Sequence, residues 1–196
     1  MKHDRIGAQV TFLLAADSLK SVQRHNRVFN GSRNENTAEH SWHLTLMAMA
    51  LAEYAPIGTD IAHVIQLLIV HDLVEVHAGD HWSESADPVD VADKEAAAAE
   101  ILFRLLPDDQ AIRLAGLWRE FEARETPEAR FAKALDALHP MLLIWGPGGT
   151  DYVHTPLTAS VMQGIKRPAL EAFPRLWEFA QGLLSDAVAR GALPPE

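Results

Sequence analysis

Three ionisable residues interrupt the apolar residues 67–76 within the stretch LLIVHDLVEVHAGD, at residues 67–80. His71, Asp72 and Glu75 are flanked by leucine, isoleucine and valine, a pattern typical of a buried helix. Burying ionisable groups is costly unless an opposite charge or a metal ion compensates them. Residues three and four apart share a helix face, so these side chains can converge on one site.

Two residues elsewhere extend this segment into a candidate metal-binding set. His40 opens a predicted helix, AEHSWHL, and Asp136 lies between leucines in another apolar helix. With His71 and Asp72 they would bring two imidazoles and two carboxylates, which suit a divalent cation and cancel its charge. Taken singly, three of these residues have an explanation other than metal binding. His71 could be a hydrogen-bonded core histidine and His40 a surface residue. Asp136 could pair with Lys133 one turn earlier.

A basic segment precedes the second predicted helix. Residues 18–34 contain Lys20, Arg24, Arg27 and Arg33 and no acidic residue, although the whole chain is acidic. The segment is either a solvated loop or a phosphate clamp beside the metal site. We expect Arg24 and Arg33 to reach a phosphate group, because the guanidinium fork matches phosphate oxygens.

The composition limits the classes of partner. The 196 residues include 17 basic and 27 acidic side chains, a net charge of −10 with histidine neutral. Nucleic acid and anionic membrane surfaces repel such a chain, so we expect neither as a partner. Without cysteine, metal binding must use carboxylates and the ten histidines. The first residues lack a signal-peptide core and no apolar run spans a membrane, which predicts a cytoplasmic protein.

Helical periodicity and helix breakers predict an all-α, single-domain helical bundle over residues 1–196. Its core covers about residues 5–145, and C-terminal helices cover about residues 157–190. The polar residues 21–36 predict a loop. Predicted helices cover 5–20, 38–54 after a Thr37 cap, 60–77 with Asp60 as cap, 90–105, 108–124, 126–145, and 157–190 with interruptions at Pro168 and Pro174.

The order of the candidate ligands resembles the H…HD…D signature of the HD-domain metal-dependent phosphohydrolases. Five segments extend the resemblance to the 5′-deoxynucleotidase-like branch: LKSVQR (19–24), ENTAEHSW (35–42), HDLVE (71–75), AGD (78–80) and EARFAKALD (128–136). The resemblance implies an HD-type fold with metal ligands His40, His71, Asp72 and Asp136. It also implies that Glu75 acts on the attacking water and that Asp80 supports the site.

The same resemblance implies a phosphomonoesterase that converts nucleoside 5′-monophosphates, in particular 2′-deoxyribonucleotides, to nucleoside and phosphate. It implies one divalent ion per chain (Mn, Co, Fe, Zn or Mg), and it suggests a homodimer. Glu75 could deprotonate the water or protonate the leaving oxygen. His25 follows Arg24, where some relatives carry an aromatic residue that reads the sugar, so we expect His25 in the sugar pocket. His77 and His81, which flank AGD, depart from the usual pattern.

Other functions fit parts of the sequence. HD-type hydrolases of nucleotide pyrophosphates, such as guanosine alarmones, usually carry HD-x-x-ED, whereas Val76 follows Glu75 here. A di-iron carboxylate bundle needs Glu-x-x-His twice, and no histidine of this chain lies three residues after a glutamate. A non-catalytic helical binding protein with a structural metal would leave Glu75 and the basic segment without a purpose.

Overall fold

The computed structural model describes residues 4–80, 88–153 and 157–196, and it confirms the all-α class. A small antiparallel sheet, β1 (Gln23–Arg27) and β2 (Asn34–Asn36), lies between the first two helices, and 3₁₀ turns cover Ser18–Ser21 and Ala52–Tyr54. The helices in these residues are α1 (Arg5–Asp17), α2 (Thr37–Ala50), α3 (Ile61–Val70), α4 (Glu75–Ala78), α5 (Pro88–Phe103), α6 (Asp108–Ala123), α7 (Pro127–Trp145), α8 (Ala159–Leu170) and α9 (Pro174–Ala189).

Helix α7 is the central element of the fold. It packs against α2, α3, α6, α8 and α9, and it buries Phe131, Leu135 and Met141 completely. Burial of each such side chain contributes about 1.5–3 kcal/mol. The helix begins as predicted, with the Thr126 hydroxyl accepting from the Ala129 amide. Asp136 is therefore carried by a rigid, well-anchored helix.

Helix α2 begins with a different cap from the one predicted. Asn36, not Thr37, is the N-cap, and it forms a capping box with Glu39, in which each side chain accepts from the other residue's amide. Thr37 is the first helical residue, and its hydroxyl donates instead to Glu75 across the site. The helix ends at Ala50, before a separate 3₁₀ turn.

Residues 21–36 form a hairpin, so the prediction of a loop was wrong. Strands β1 and β2 pair antiparallel, with Gln23 opposite Asn36 and Arg27 opposite Asn34. Both strands are polar and therefore lack the alternation of apolar residues that reveals a strand in a sequence. Gly31, at φ 70°, provides the turn. Arg24 and His25 lie on β1, so strand pairing fixes the backbone from which their side chains extend.

The third helix is shorter than predicted. Asp60 caps α3 as expected, but α3 ends at Val70, and residues 71–74 form a tight turn before α4. Within it the Glu75 amide donates to the Asp72 carbonyl, a three-residue spacing that replaces the four-residue spacing of an α-helix. In the C-terminal region Pro168 lies inside α8 and does not interrupt it, whereas Pro174 begins α9 as a helix-starting proline.

Residues 61–78 are long and apolar enough, by length and composition alone, to cross a membrane. The structure gives this segment another role, because Val64, Leu67 and Leu68 are fully buried in the core. Helix α3 packs against α2, α6 and α7. The apolar character of the segment therefore reflects its place at the centre of the fold.

Candidate metal centre and adjoining pocket

The four predicted metal ligands come from three parts of the fold. His40 lies in the first turn of α2, Asp136 lies at the middle of α7, and His71 and Asp72 lie in the turn after α3. His40 and His71 are buried, whereas the two carboxylate side chains keep 16–18% of their surface exposed. We call these four residues the ligand cluster.

The donor atoms of the ligand cluster converge. Nε2 of His40 lies 3.1 Å from Oδ1 of Asp136 and 3.7 Å from Oδ2 of Asp72. Nε2 of His71 lies 3.0 Å from that same Asp72 oxygen. His40, His71 and Asp136 each offer a ligand atom within 4.8 Å of the others, a group that could hold a metal ion. Ligands bonded to one ion at about 2.1 Å are at most about 4.2 Å apart, so small movements would complete the site.

The hydrogen bonding of His71 fits metal ligation. Its Nδ1 lies 2.7 Å from the Leu68 carbonyl, which can only accept, so Nδ1 carries a proton. In the neutral ring Nε2 then presents its lone pair to the ligand cluster. This nitrogen is buried and has no hydrogen-bond partner, because its close contact with Asp72 is not aligned for one. A backbone-anchored imidazole with an unpartnered second nitrogen is the arrangement typical of a metal ligand.

The two carboxylates of the ligand cluster are ionised. Burial opposes ionisation of Asp72, but the neighbouring His71 and Arg24 lower its pKa to about 2. Burial likewise opposes ionisation of Asp136. The Lys133 ammonium, 2.8 Å away, and the nearby His40 and His71 rings together outweigh that effect and hold the pKa of Asp136 well below its ordinary value. Both oxygens are thus available as anionic ligands across the neutral pH range.

The pKa values of the two imidazoles in the ligand cluster are shifted in opposite directions. Burial, with a contribution from the nearby Arg24 charge, lowers the pKa of His40 to about 4, so His40 is neutral. Burial also disfavours a charge on His71, but the adjacent Asp72 carboxylate outweighs it and raises the pKa. His40 is therefore already in the neutral state that metal ligation requires, and the raised pKa of His71 means that a proton competes more strongly with a metal ion for that ring.

Glu75 faces the same site, as its spacing predicted. It is buried, lines the pocket described below, and its Oε2 accepts from the Thr37 hydroxyl at 2.7 Å. Burial, reinforced by the negative charge of Asp72, raises its pKa to about 10. Shifts of this size are concentrated at functional sites.

Arg24, Asp80 and His25 form a second group beside the ligand cluster. Nη1 of Arg24 lies 3.2 Å from Asp72 and 3.5 Å from Asp80. The other Asp80 oxygen lies 3.0 Å from Nδ1 of His25. Asp80 therefore contacts both of these strand residues. His77 is exposed and is not among the described residues that line the pocket. His81 lies outside the described residues.

A pocket of about 700 Å³ opens over these groups. It lies among β1, α5, α7, α8 and the end of α6. The described residues that line it include carboxylates, bases and apolar side chains: Arg24, His25, Asp72, Glu75, Asp80, Glu95, Phe121, Glu122, Arg124, Arg130, Lys133, Asp136, Ile165 and Lys166. This volume is in the range of small-molecule sites in proteins.

The structure does not bring Arg33 to this pocket. Its guanidinium forms a bidentate pair with Glu39, at 2.7 and 2.8 Å, and more than half of the side chain is exposed. Among the described residues it does not line the pocket. The structure therefore gives no support to the expectation that Arg33 reaches a phosphate in this pocket. Glu39 is fixed by the α2 capping box, which draws Arg33 to the surface.

Two pocket residues were not predicted to act there. Lys133 was considered only as a partner of Asp136, yet it lines the pocket while making that contact. Glu95, on α5, also lines the pocket, and burial, with the nearby Glu122 charge, raises its pKa to about 7. Lys133 and Asp136 are three residues apart on one helix, and this spacing could have indicated that Lys133 lies beside the site.

A group of buried polar residues behind His40 was also missed. His139 is completely buried, and its Nδ1 lies 3.2 Å from Nδ1 of His40. Its Nε2 lies 2.9 Å from Nδ1 of His43 and 3.5 Å from Glu35. Burial raises the pKa of Glu35 to about 7. His139 follows Asp136 by three residues in an apolar helix, and this polar residue at a core position was the available signal.

The fold and the ligand cluster together define a family. The HD domain family model matches residues 16–177, and the chain belongs to the HD-domain family. A structure from Magnetospirillum magnetotacticum MS-1, described as a predicted metal-dependent phosphohydrolase, is 43% identical with a TM-score of 0.88, over 97% of this chain and 99% of that one. A conserved hypothetical protein from Pyrococcus furiosus, 20% identical with a TM-score of 0.56 over 92% of this chain and 97% of that one, shows the fold alone.

Curated relatives point to a branch of the family. 5′-deoxynucleotidase HDDC2 of Xenopus laevis is 33% identical over 135 residues, which are 67% of this chain and 65% of the relative. The human protein of the same name is 32% identical over 135 residues, 67% of this chain and 64% of the relative. The chain thus spans slightly less than two thirds of these curated relatives. The predicted resemblance to this branch is confirmed.

Proposed function

We propose that this protein is a metal-dependent phosphomonoesterase that hydrolyses nucleoside 5′-monophosphates, and 2′-deoxyribonucleotides in particular, to nucleoside and phosphate. The observation that carries the proposal is the ligand cluster, two of whose members, Asp72 and Asp136, line the same pocket as Glu75 and Arg24. Similarity to HDDC2 and to the Magnetospirillum phosphohydrolase supports the reaction class.

One divalent ion per chain would be held by His40, His71, Asp72 and Asp136. Two imidazoles and two carboxylates suit Mn, Co, Fe, Zn or Mg, and the ion would lower the pKa of bound water and polarise a phosphoryl oxygen. The unpartnered Nε2 of His71 supports this assignment, because a buried nitrogen without a partner is otherwise costly.

Glu75 handles the proton in this proposal. The Thr37 hydroxyl occupies Oε2, so Oε1 is the oxygen that can meet a water or a leaving oxygen in the pocket. As a base, Glu75 orients and deprotonates the attacking water; as an acid, it protonates the leaving nucleoside oxygen. A cation bound next to it favours the ionised form, which a base requires.

Arg24 and Lys133 are the proposed phosphate contacts. Arg24 is held by carboxylates at Nε and Nη1, with only 12% of its side chain exposed, so its charge is fixed at the pocket wall. Lys133 takes the place that the sequence assigned to Arg33, because it lines the pocket beside Asp136. Fixed positive charges of this kind stabilise the equatorial oxygens of a transferring phosphoryl group.

His25 is the proposed sugar contact. It lines the pocket next to Arg24 on β1, and Asp80 holds its ring through Nδ1. Because an imidazole is smaller than an indole, it would pack less tightly against C2′ of the sugar than a bulky aromatic residue. We therefore propose a preference for 2′-deoxynucleotides that is looser than in relatives with a large aromatic residue at this position.

The remaining parts of the proposal concern the whole molecule. We propose a single domain, a homodimer and a cytoplasmic location, with a small nucleotide as the substrate and neither nucleic acid nor membrane as a partner. The net charge of −10 supports the last two exclusions. Analytical ultracentrifugation would measure the oligomeric state, and a monomer would contradict the homodimer.

A phosphate-release assay tests the function. Purified protein is incubated with each nucleoside 5′-monophosphate, in ribo and deoxy forms, after chelation and reloading with each candidate metal. We expect metal-dependent release of inorganic phosphate, which Glu75→Gln lowers by about 10²–10⁴ and Arg33→Ala, a matched surface variant, retains. Release of pyrophosphate from a nucleoside triphosphate, with no activity on monophosphates, would contradict the proposal.

A further inference from the structure

Three imidazoles form a continuous row behind the ligand cluster. Nδ1 of His40 lies 3.2 Å from Nδ1 of His139, and Nε2 of His139 lies 2.9 Å from Nδ1 of His43. Successive rings cross nearly edge to face, at 76° and 84°. His40 and His139 are completely buried, whereas His43 is only half-buried. The row thus runs from the ligand cluster to a partly exposed side chain.

Each contact in the row needs one donor and one acceptor, because a neutral imidazole carries a single proton. When Nε2 of His40 ligates a cation, its proton must be on Nδ1, and that N–H must donate to Nδ1 of His139. His139 then carries its own proton on Nε2 and donates to Nδ1 of His43. The proton of His43 is thereby placed on its outer nitrogen, Nε2.

The row can also run in the opposite sense. Nε2 of His40 lies 3.1 Å from Oδ1 of Asp136, and a carboxylate can only accept. If His40 donates there, its Nδ1 accepts from His139, whose Nε2 in turn accepts from Nδ1 of His43. All three rings then hold the tautomer opposite to the one that metal ligation requires.

We propose that His139 and His43 are positioning residues that set the tautomer of His40, and that the three rings change tautomer together when a metal binds. The exchange is balanced: one proton enters at Nε2 of His43, and one leaves Nε2 of His40 through the pocket. Each ring keeps a single proton throughout. The inference rests on the proposed metal site but not on the nucleotide substrate.

Glu35 cannot replace His139 as the partner of His40. Its Oε2 lies 3.7 Å from Nδ1 of His40, which is too long for a hydrogen bond, whereas the His139 contact is within range. Oε1 of Glu35 lies 3.5 Å from Nε2 of His139, farther than Nδ1 of His43 at 2.9 Å, so His43 is the main partner of that nitrogen. The orientation of His40 therefore depends on His139.

Nuclear magnetic resonance of the histidine rings directly tests this coupled change of tautomer, which we call the relay. Long-range proton–nitrogen correlation spectra are recorded for the full chain after metal removal with a chelator and again after zinc loading. They report which nitrogen of each ring carries its proton. We expect His40 to change from Nε2–H to Nδ1–H on zinc binding, and His139 and His43 to change from Nδ1–H to Nε2–H. If either of the latter keeps the same tautomer in both states, the relay is refuted.

Two substitutions at one position separate the relay from simple packing. His139→Leu fills the space without polar atoms, whereas His139→Gln offers one acceptor and one donor. We expect His139→Leu to weaken zinc affinity by about 10–100-fold, measured by chelator competition, and His139→Gln to recover most of that loss. Leu138→Met, a volume-conserving change on the same helix, controls for general effects on α7.

The remaining outcomes are equally decisive. Wild-type zinc affinity in His139→Leu would overturn the inference, as would a second zinc ion per chain that only His139→Leu loses, because the row would then be a metal site itself. Coupled tautomer changes in a protein that releases no phosphate would support the relay and refute the proposed function. The two failures are therefore distinguishable.

Discussion

Substitution of Glu75 by glutamine is expected to stabilise the metal-free protein while strongly lowering the turnover of the metal-loaded protein. The carboxyl is buried, and its pKa of about 10 in the folded protein compares with an ordinary value of 4.5. Above about pH 4.5 the unfolded chain releases a proton that the folded chain retains. Stability from this group is therefore complete below about pH 4.5 and falls as the pH rises toward 10.

The magnitude at neutral pH follows from the ordinary pKa. Each pH unit above 4.5 costs about 1.4 kcal/mol while the folded carboxyl stays protonated, so the free energy of unfolding at pH 7 is lower by about 3 kcal/mol. Glutamine is neutral in both states and can still accept from Thr37. The variant should therefore gain about 3 kcal/mol at pH 7, or roughly 6–12 °C in Tm, and almost nothing at about pH 4.5.

Urea unfolding of the metal-free protein at these two pH values measures the effect. The surface variant Glu53→Gln is the control, and its free energy of unfolding should stay within about 0.5 kcal/mol of the wild-type value. Turnover of the metal-loaded variant should fall by about 10²–10⁴, with metal content unchanged. A variant no more stable than wild type at pH 7 would show that the buried carboxyl is ionised. Loss of the metal from the variant would make Glu75 a ligand.

Other substitutions separate the remaining roles. His71→Ala or Asp72→Ala should lose metal and activity together, since each removes a ligand; full occupancy by elemental analysis in both would refute the four-ligand site. Arg24→Ala should raise KM for every nucleoside monophosphate by a similar factor whatever the base, whereas the exposed Arg33→Ala should change it by about twofold or less; equal effects would remove Arg24 from the phosphate site. His25→Trp should increase the ratio of kcat/KM for dAMP over AMP; an unchanged ratio would remove His25 from the sugar pocket.

The fold was predictable where local signals are strong. Helix periodicity, the Thr126 and Asp60 caps and the Pro107 break located most helices within a few residues. The hairpin was not predictable, because QRHNR and NEN contain no apolar alternation and are held by backbone pairing. The end of α3 at Val70 was equally hidden, since the sequence from Leu67 to Val76 remains helix-like throughout.

The candidate site was predictable in its charged residues but not in their partners. His71 and Asp72 stood out because they interrupt an apolar run, and such a contrast is visible in one dimension. Arg33 was assigned to a phosphate because its positive charge is visible in the sequence, whereas its ion pair with Glu39 is not. His139 was missed because its contacts, with His40 and His43, are 96–99 residues away in sequence. Pairing between distant residues is a property of the packing alone.

The departures from simple sequence rules converge on one place, which argues for a functional cause. The tightened turn at 71–75 aims Asp72 and Glu75 into the pocket, and Thr37 supports Glu75 instead of capping its own helix. Arg24 is buried among carboxylates in a polar strand. The tightened turn and the buried guanidinium each weaken a local preference, and a protein selected for stability alone would have little reason to keep them together. The proposed site for a cation and a phosphate would use all three.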